Sequence, residues 1–233
     1  MKTNKLIIIV LGMLIITATS CKKDESFNVG DIKPDGTVTD IDGNIYHTVK
    51  IGNQTWMVEN YKATKFRNND AIPLITDYSA WINNDKSAYC DYNNYPYNSI
   101  VTGRLYNGYL IQDSRQITPK GWHVPTKDDF DLLIANLGGS TAAANKLKEA
   151  GADHWEYPNA DATNSSGFTL LPCGRSYSNL AINRYADYST YSILWTSTRE
   201  NQQNYALFIS TNKYSNIQRM GDEFGHAIRL IKD

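Results

Sequence analysis

The chain is poor in the residues that build reactive centres. Its 233 residues include only three cysteines and four histidines. His47, His123, His154 and His226 lie far apart, with no i,i+4 pair and no cysteine at ligand spacing, so the usual zinc or copper framework is missing. There is no Gly-x-Ser-x-Gly elbow and no glycine-rich loop of the phosphate-cradling kind. Asp128, Asp129 and Asp131 cluster, but an acidic first helical turn accounts for the first two without acid/base catalysis. No residue is therefore assigned a catalytic or metal-binding role. The formal net charge is −1 and no Lys/Arg cluster follows Lys23, which argues against nucleic acid or an acidic polymer as the main partner. The apolar run Leu6–Ile16 spans about eleven residues, short of the roughly twenty that a bilayer-spanning helix needs.

That short run has another use. Lys2 and Lys5 precede it and the small residues Thr17-Ala18-Thr19-Ser20 follow, the layout of a secretory signal peptide over residues 1–20. Cys21 comes directly after and resembles the cysteine of a bacterial lipoprotein box, with Ala18 where Leu is usual. The resemblance implies cleavage before Cys21, diacylation of its thiol and a membrane anchor worth about 0.8 kcal/mol per buried CH2. The competing reading is an ordinary signal peptide with an incidental cysteine. Lys22-Lys23-Asp24-Glu25 is similar to the basic-then-acidic tether of surface lipoproteins of the Bacteroidetes group, so the expected location is the outer membrane with the domain on the cell surface. Residues 21–39, with Gly30, Pro34 and Gly36, read as a flexible spacer, and the domain is expected over 40–233.

What the domain has in abundance is tyrosine, sixteen in all and none in the signal. Such a chain reads as exported, loop-rich and β-containing. Turn signals at Asp42-Gly43-Asn44 and Gly52-Asn53 flank Ile45–Ile51, and Gln54–Val58 follows, predicting a tight β-meander with Ile45, His47, Val49 and Ile51 on one face. Gly103–Ile111 suggests a short helix. Thr126 is a plausible N-cap for the clearest helix, with Asp128 and Asp129 at its positive end, Phe130, Leu133, Ile134 and Leu137 at helical spacing and Gly138-Gly139 as its stop. A second helix is expected over Thr141–Ala150. Strands are expected at Phe168–Leu171, Ser192–Thr196, Tyr205–Ser210 and His226–Ile231. Strands at both ends around two central helices predict an α+β fold. Cys90 and Cys173 are the candidates for a disulfide outside the reducing cytosol, provided their Cα atoms lie within about 7 Å.

The motifs Val49-Lys50-Ile51-Gly52-Asn53-Gln54-Thr55-Trp56-Met57-Val58-Glu59-Asn60, Tyr89-Cys90-Asp91-Tyr92-Asn93-Asn94, Gly103-Arg104-Leu105-Tyr106-Asn107, Gly121-Trp122-His123-Val124-Pro125-Thr126, Trp195-Thr196-Ser197-Thr198 and Ile228-Arg229-Leu230-Ile231-Lys232-Asp233 occur in order. Together with Asp42-Gly43-Asn44, Ala162–Phe168 and Leu171-Pro172 they resemble the Fibrobacter succinogenes major paralogous domain. Leu230 stands where that family often has a cysteine, Phe130 where it has Trp, and Thr196 where it has Ser. The family in turn is similar, more distantly, to the C-type-lectin-like fold shared with formylglycine-generating enzymes. The implied architecture is a domain with long irregular loops whose first and last strands pair. The paired cysteines of an oxygen-using formylglycine generator are absent, since no thiol follows Cys173. C-type lectins also hold calcium with side-chain oxygens, and Asp85, Asp91, Asn93 and Asn94 form one such set, Asp153, Glu156, Asn159 and Asp161 another. The contiguous Glu-Pro-Asn and Trp-Asn-Asp signatures of sugar-binding lectins are missing. No cofactor is assigned, with calcium the ion left open.

The tyrosines are the functional lead. Tyr78, Trp81, Tyr89, Tyr92, Tyr95 and Tyr97 crowd one region, and Tyr177, Tyr185, Tyr188 and Tyr191 another. Loop aromatics give rigid contact area with a polar tip, suited to recognition, although they also pack loop-rich cores. Tyr95, Tyr97, Tyr185 and Tyr188 lie outside the motifs and are the expected ligand contacts. Trp56, Trp122 and Trp195 are expected as buried anchors. The expectation is a surface lipoprotein whose domain is a non-catalytic binding or adhesion module for a glycan or surface protein. The alternatives are an enzyme of formylglycine-generating descent and a structural component of a surface assembly.

Overall fold

A computed structural model describes residues 35–176, 184–212 and 215–233. The signal, Cys21, the charged tether after it and Tyr177 lie outside the described residues. Among those described, no helix is long and apolar enough to cross a membrane.

The domain opens as the expected meander of β1 (Gly36–Thr39), β2 (Ile45–Ile51) and β3 (Gln54–Met57), with Val38 opposite Tyr46 and Val49 opposite Trp56. The β1–β2 turn is organised by Asp40, whose carboxylate accepts from the backbone N–H groups of Asp42 and Asn44 at 2.9 Å and from the Tyr46 hydroxyl at 2.6 Å. A short polar side chain folding back on its own turn is the reason Asp recurs at such corners. Strand β1 falls inside the expected spacer, because Gly36–Thr39 find backbone partners on β2 that composition does not reveal. Alternation along β2 holds for Val49 and Ile51, which face one core cluster, whereas Tyr46 on the opposite face is fully buried in another and Ile45 is exposed. The strand is thus covered on both sides.

The middle of the chain runs through α1 (Tyr78–Ile82), β4 (Tyr89–Cys90), a 3-10 turn at Tyr92–Asn94, α2 (Pro96–Thr102), β5 (Leu105–Asn107), α3 (Gly108–Ile111) and β6 (Trp122–His123). The helix expected over Gly103–Ile111 is therefore half strand. Leu105 and Tyr106 point into two different clusters from opposite faces of a strand that pairs with β4 and with Gly225–His226. Helix α4 (Lys127–Asn136) starts at the expected cap: the Asp129 N–H donates to the Thr126 hydroxyl, and the Asp129 carboxylate accepts from the Thr126 N–H at 2.8 Å, a reciprocal capping box. Helix α5 (Ser140–Leu147) follows the glycine stop.

The remainder is mostly strand: β7 (Cys173–Ser176), β8 (Tyr185–Tyr188), β9 (Tyr191–Glu200), β10 (Gln203–Ser210), β11 (Ser215–Met220), β12 (Gly225–His226) and β13 (Ile231–Lys232). Phe168–Leu171 makes only an isolated bridge at Leu170, and His226–Ile231 forms strand only at its two ends. The sheets run β1-β2-β3-β13-β6, β11-β10-β9 and β4-β5-β12-β7-β8, with antiparallel pairing within them. The last strand lies between β3 and β6, so it closes the first sheet without touching β1. The expected pairing of first and last strands is corrected to that extent. Mixed helices and antiparallel sheets make the fold α+β.

Three clusters of buried side chains hold these layers together. Trp56 stacks on Phe130 at 5.2 Å and meets Phe168 edge-on, while Trp195 donates from its ring nitrogen to the Tyr106 carbonyl at 2.7 Å. Trp56, Trp122 and Trp195 are all buried, as are Trp81 and Trp155. Cys90 and Cys173 are free thiols in separate clusters, which corrects the disulfide expectation. The Cys90 thiol lies near Tyr185 and Ser176. Cys173 is three residues along β7 from Ser176, about 10 Å at strand rise, and its sulfur lies 3.5 Å from the Ser192 hydroxyl.

Candidate functional site

The irregular segment from Asp91 to Arg104 is pinned from below and open above. Tyr92 is buried and packs its ring on Tyr188 at 4.6 Å and on Tyr185 at 5.2 Å. The Tyr185 hydroxyl donates to the Asn94 side-chain oxygen at 2.7 Å, and Tyr188 reaches that of Asn98 at 3.5 Å. This brace needs Gly174, whose φ is +60° and where a Cβ would come within 2.7 Å of the Tyr92 ring. Burial pushes the hydroxyl pKa values of Tyr92, Tyr185 and Tyr188 above the ordinary tyrosine range.

On the open side, Pro96 pre-sets the first turn of α2 and Tyr95 caps it in extended conformation. Tyr95 and Tyr97 are both 65% exposed and Ile100, one turn on, is 66% exposed. Of the four expected ligand contacts, the structure thus puts Tyr95 and Tyr97 on the surface. Tyr185 is only 6% exposed and Tyr188 is half-buried beneath the same segment. The four converge on one region, in two layers.

Beside the exposed layer lies a cleft of about 400 Å³ lined by Asp42, Asn44, Lys62, Thr64, Pro96, Ser99, Ile100 and Arg104. One wall is the β1–β2 turn and the other is α2. The Asp42 carboxylate accepts from the Thr64 N–H at 2.5 Å and its hydroxyl at 2.8 Å, with the Lys65 ammonium 3.5 Å away. Partial burial alone would raise the Asp42 carboxyl pKa, but these Thr64 hydrogen bonds and Lys65 hold it below its ordinary value. Arg104 donates from Nε to the Lys62 carbonyl at 2.9 Å, pairs through Nη1 with the buried Asp91, and lies over the Tyr89 ring at 4.7 Å. Ser99 also donates to Asp91. The Lys62 ammonium sits 5.6 Å from the Tyr46 ring centre, with no carboxylate in ion-pairing range among the described residues.

Asp42, Asn44 and Arg104 escape sequence reasoning, because family motifs read as scaffold and ligand contacts are sought outside them. Lys62 and Thr64 carry no periodic signal. The tyrosines Tyr95 and Tyr97 are the available pointer.

Three residues of the oxygen-rich sets considered for calcium have partners within the fold. Asp91 is committed to Arg104 and Ser99 and Asn94 to Tyr185 and the Thr76 carbonyl, while Asn159 donates its amide N–H groups to the Glu149 and Gly151 carbonyls and keeps a buried side-chain oxygen without a hydrogen-bond partner. Among the described residues no three His, Cys, Asp or Glu side chains converge as metal ligands would. Each of three histidines lies against a carboxylate: His47 on Glu59 at 2.6 Å, His123 on Asp233 at 2.7 Å and His154 on Glu149 at 2.9 Å. His226 is buried among Trp195, Phe208 and Phe224, and burial holds its pKa well below the ordinary value.

The profile of the Fibrobacter succinogenes major domain matches residues 49–232. The chain belongs to that family. The match runs from the middle of β2 to the end of β13 and so includes α2, the tyrosine brace and most of the cleft. The searches of curated proteins and of solved structures returned no match.

Proposed function

We propose that this member of the Fibrobacter succinogenes major domain family is a surface lipoprotein, anchored through Cys21, whose domain is a non-catalytic recognition module of C-type-lectin-like architecture. The observation that carries the reading is the exposed group Tyr95, Tyr97 and Ile100 beside a polar cleft. Large apolar side chains held out in water by a braced segment cost solubility and give nothing to the core, so they fit a surface that is covered when a partner binds. The bracing matters equally. A contact surface fixed before binding loses less entropy on association. In this reading the partner is a glycan or another surface protein, Tyr95 and Tyr97 touch it, and Tyr185 and Tyr188 keep them in place.

Cells displaying the full chain provide the test. They should adhere to immobilised glycans or to partner cells, and Tyr95→Ala with Tyr97→Ala should abolish adhesion at unchanged surface display. Retained adhesion in the double variant would remove the reading. The anchor has its own test: Cys21→Ser should end radiolabelled palmitate incorporation and release the protein from the membrane fraction. Continued labelling would refute it.

A further inference from the structure

Resting on that reading of the Tyr95–Ile100 surface, we infer that the cleft beside it binds an uncharged oligosaccharide, with Asp42, Asn44, Lys62 and Arg104 as the residues that read its hydroxyl groups. Three features of the cleft point to this class. The first is charge: of the charged residues lining the cleft, Arg104 is paired with the buried Asp91 and Asp42 with Lys65, so Lys62 is the lining charge without an ion pair among the described residues and a multiply charged ligand meets no field of one sign. The second is the arrangement of unused polar atoms. Asp40 takes the Asn44 side-chain N–H at 2.8 Å, which leaves the Asn44 side-chain oxygen free to accept. Thr64 occupies one Asp42 oxygen, and the other is ion-paired with Lys65 at 3.5 Å, which leaves it lone-pair capacity for a further donor. The Lys62 ammonium and Arg104 Nη2 remain as donors without a hydrogen-bonded partner among the described residues.

Donors and acceptors thus line one concavity together. A hydroxyl both donates and accepts, and a chain of sugar rings presents many of them at close spacing, so it can satisfy such a set without bringing charge. The third feature is shape. A cleft of about 400 Å³ lies within the roughly 300–1,000 Å³ range of small-ligand sites, whereas a protein partner needs about 800 Å² of buried surface on each side. Ile100 lines the cleft, and Tyr95 and Tyr97 extend the site beyond it, where their rings can lie against the less polar faces of further sugar units. Asp42 and Asn44 are held by Thr64 and Asp40, so the polar wall is set in advance.

The test uses the full chain in detergent against an array of short uncharged oligosaccharides and their uronic-acid counterparts. Binding should fall on the uncharged set, and affinity should change less than about twofold between about 50 and 500 mM salt, a range over which screening of a charged ligand would show. Lys62→Met keeps an unbranched side chain without the ammonium and should weaken binding about tenfold, as should Asn44→Ala, with the melting temperature little changed. Preference for the acidic set with steep salt dependence overturns the assignment. So does binding that Lys62→Met and Asn44→Ala leave intact while Tyr95→Ala abolishes it; recognition at the tyrosine surface then stands and the cleft is not its sugar site. If no oligosaccharide binds but Tyr95→Ala removes adhesion to a protein-coated surface, the partner is a protein and the inference falls. Indifference of every form of adhesion to Tyr95 and Tyr97 overturns the underlying reading as well.

Discussion

Tyr95 and Tyr97 stand at the start of α2 with two-thirds of their surface in water, while Tyr185 and Tyr188, on the strand below, are buried or half-buried and bond back to Asn94 and Asn98 of the segment above. The same side chain in two neighbouring layers has opposite energetic roles. The lower pair adds apolar burial, ring contacts with Tyr92 and a satisfied hydroxyl to the folded state. The upper pair adds almost nothing to it. A surface set aside for contact is thereby separated from the parts that hold it, and the separation can be tested one side chain at a time.

Trp56 sets the upper end of the scale. It is fully buried between Phe130 and Phe168, and Trp56→Ala should cost about 4 kcal/mol, enough to threaten a domain held by roughly 5–15. Chemical denaturation of the purified variant measures this. A cost near 1 kcal/mol would mean that the scaffold does not depend on the meander.

Tyr185→Ala comes next, at about 3 kcal/mol or on the order of 10 °C in melting temperature for a chain of this size. Tyr185→Phe isolates the hydroxyl and should cost about 1 kcal/mol for the bond to Asn94. If Tyr185→Ala proves as mild as an exposed substitution, the two layers are not energetically distinct and the comparison fails.

The brace also predicts an alkaline signature. Burial raises the Tyr185 pKa in the folded state above its ordinary value of 10.0. Above about pH 10 the unfolded chain therefore loses this proton while the folded chain keeps it. Fewer protons are bound in the unfolded state, so stability falls as pH rises, by up to about 1.4 kcal/mol per pH unit for one such group. Tyr185→Phe cannot ionise, and its denaturation midpoint should fall less steeply between about pH 10 and 12 than the parent's. Parallel slopes would show that the hydroxyl is not protected in the fold.

Much of the scaffold is legible in the sequence because local signals and packing agree there. Thr126 with Asp129, the apolar spacing through Leu137 and the two glycines are enough to define α4, and turn residues around Ile45–Ile51 define β2. The failures share one cause. Gly36–Thr39 resembles a spacer and Gly103–Ile111 a helix until long-range partners on β2 and on β4 and β12 are known, and pairing across a sheet leaves little trace in one sequence. The site is half legible for the same reason. Exposed and buried tyrosines look alike in an Asn-rich loop, and only the fold shows that Asn94 and Asn98 receive the lower pair. The cleft stays hidden because Asp42 and Arg104 also serve turns and ion pairs, so their motif positions suggest scaffold alone.

The smallest effect is the most discriminating. Tyr95→Ala and Tyr97→Ala should each change stability by no more than about 0.5 kcal/mol, since neither side chain makes a hydrogen bond or ring contact with a described residue and both are 65% exposed. The two changes should also be additive, because sites that share no partner do not couple. Tyr185→Ala and Tyr188→Ala, which share the Tyr92 ring, should instead show a coupling above about 0.5 kcal/mol in a double-mutant cycle. Additivity above and coupling below would locate the boundary between contact surface and support between the Tyr95 and Tyr97 side chains and the Asn94 and Asn98 side chains that receive the lower pair. Coupling in both pairs would move that boundary outward, making the exposed rings part of one packed unit with the brace and leaving the cleft walls alone as the surface free to bind.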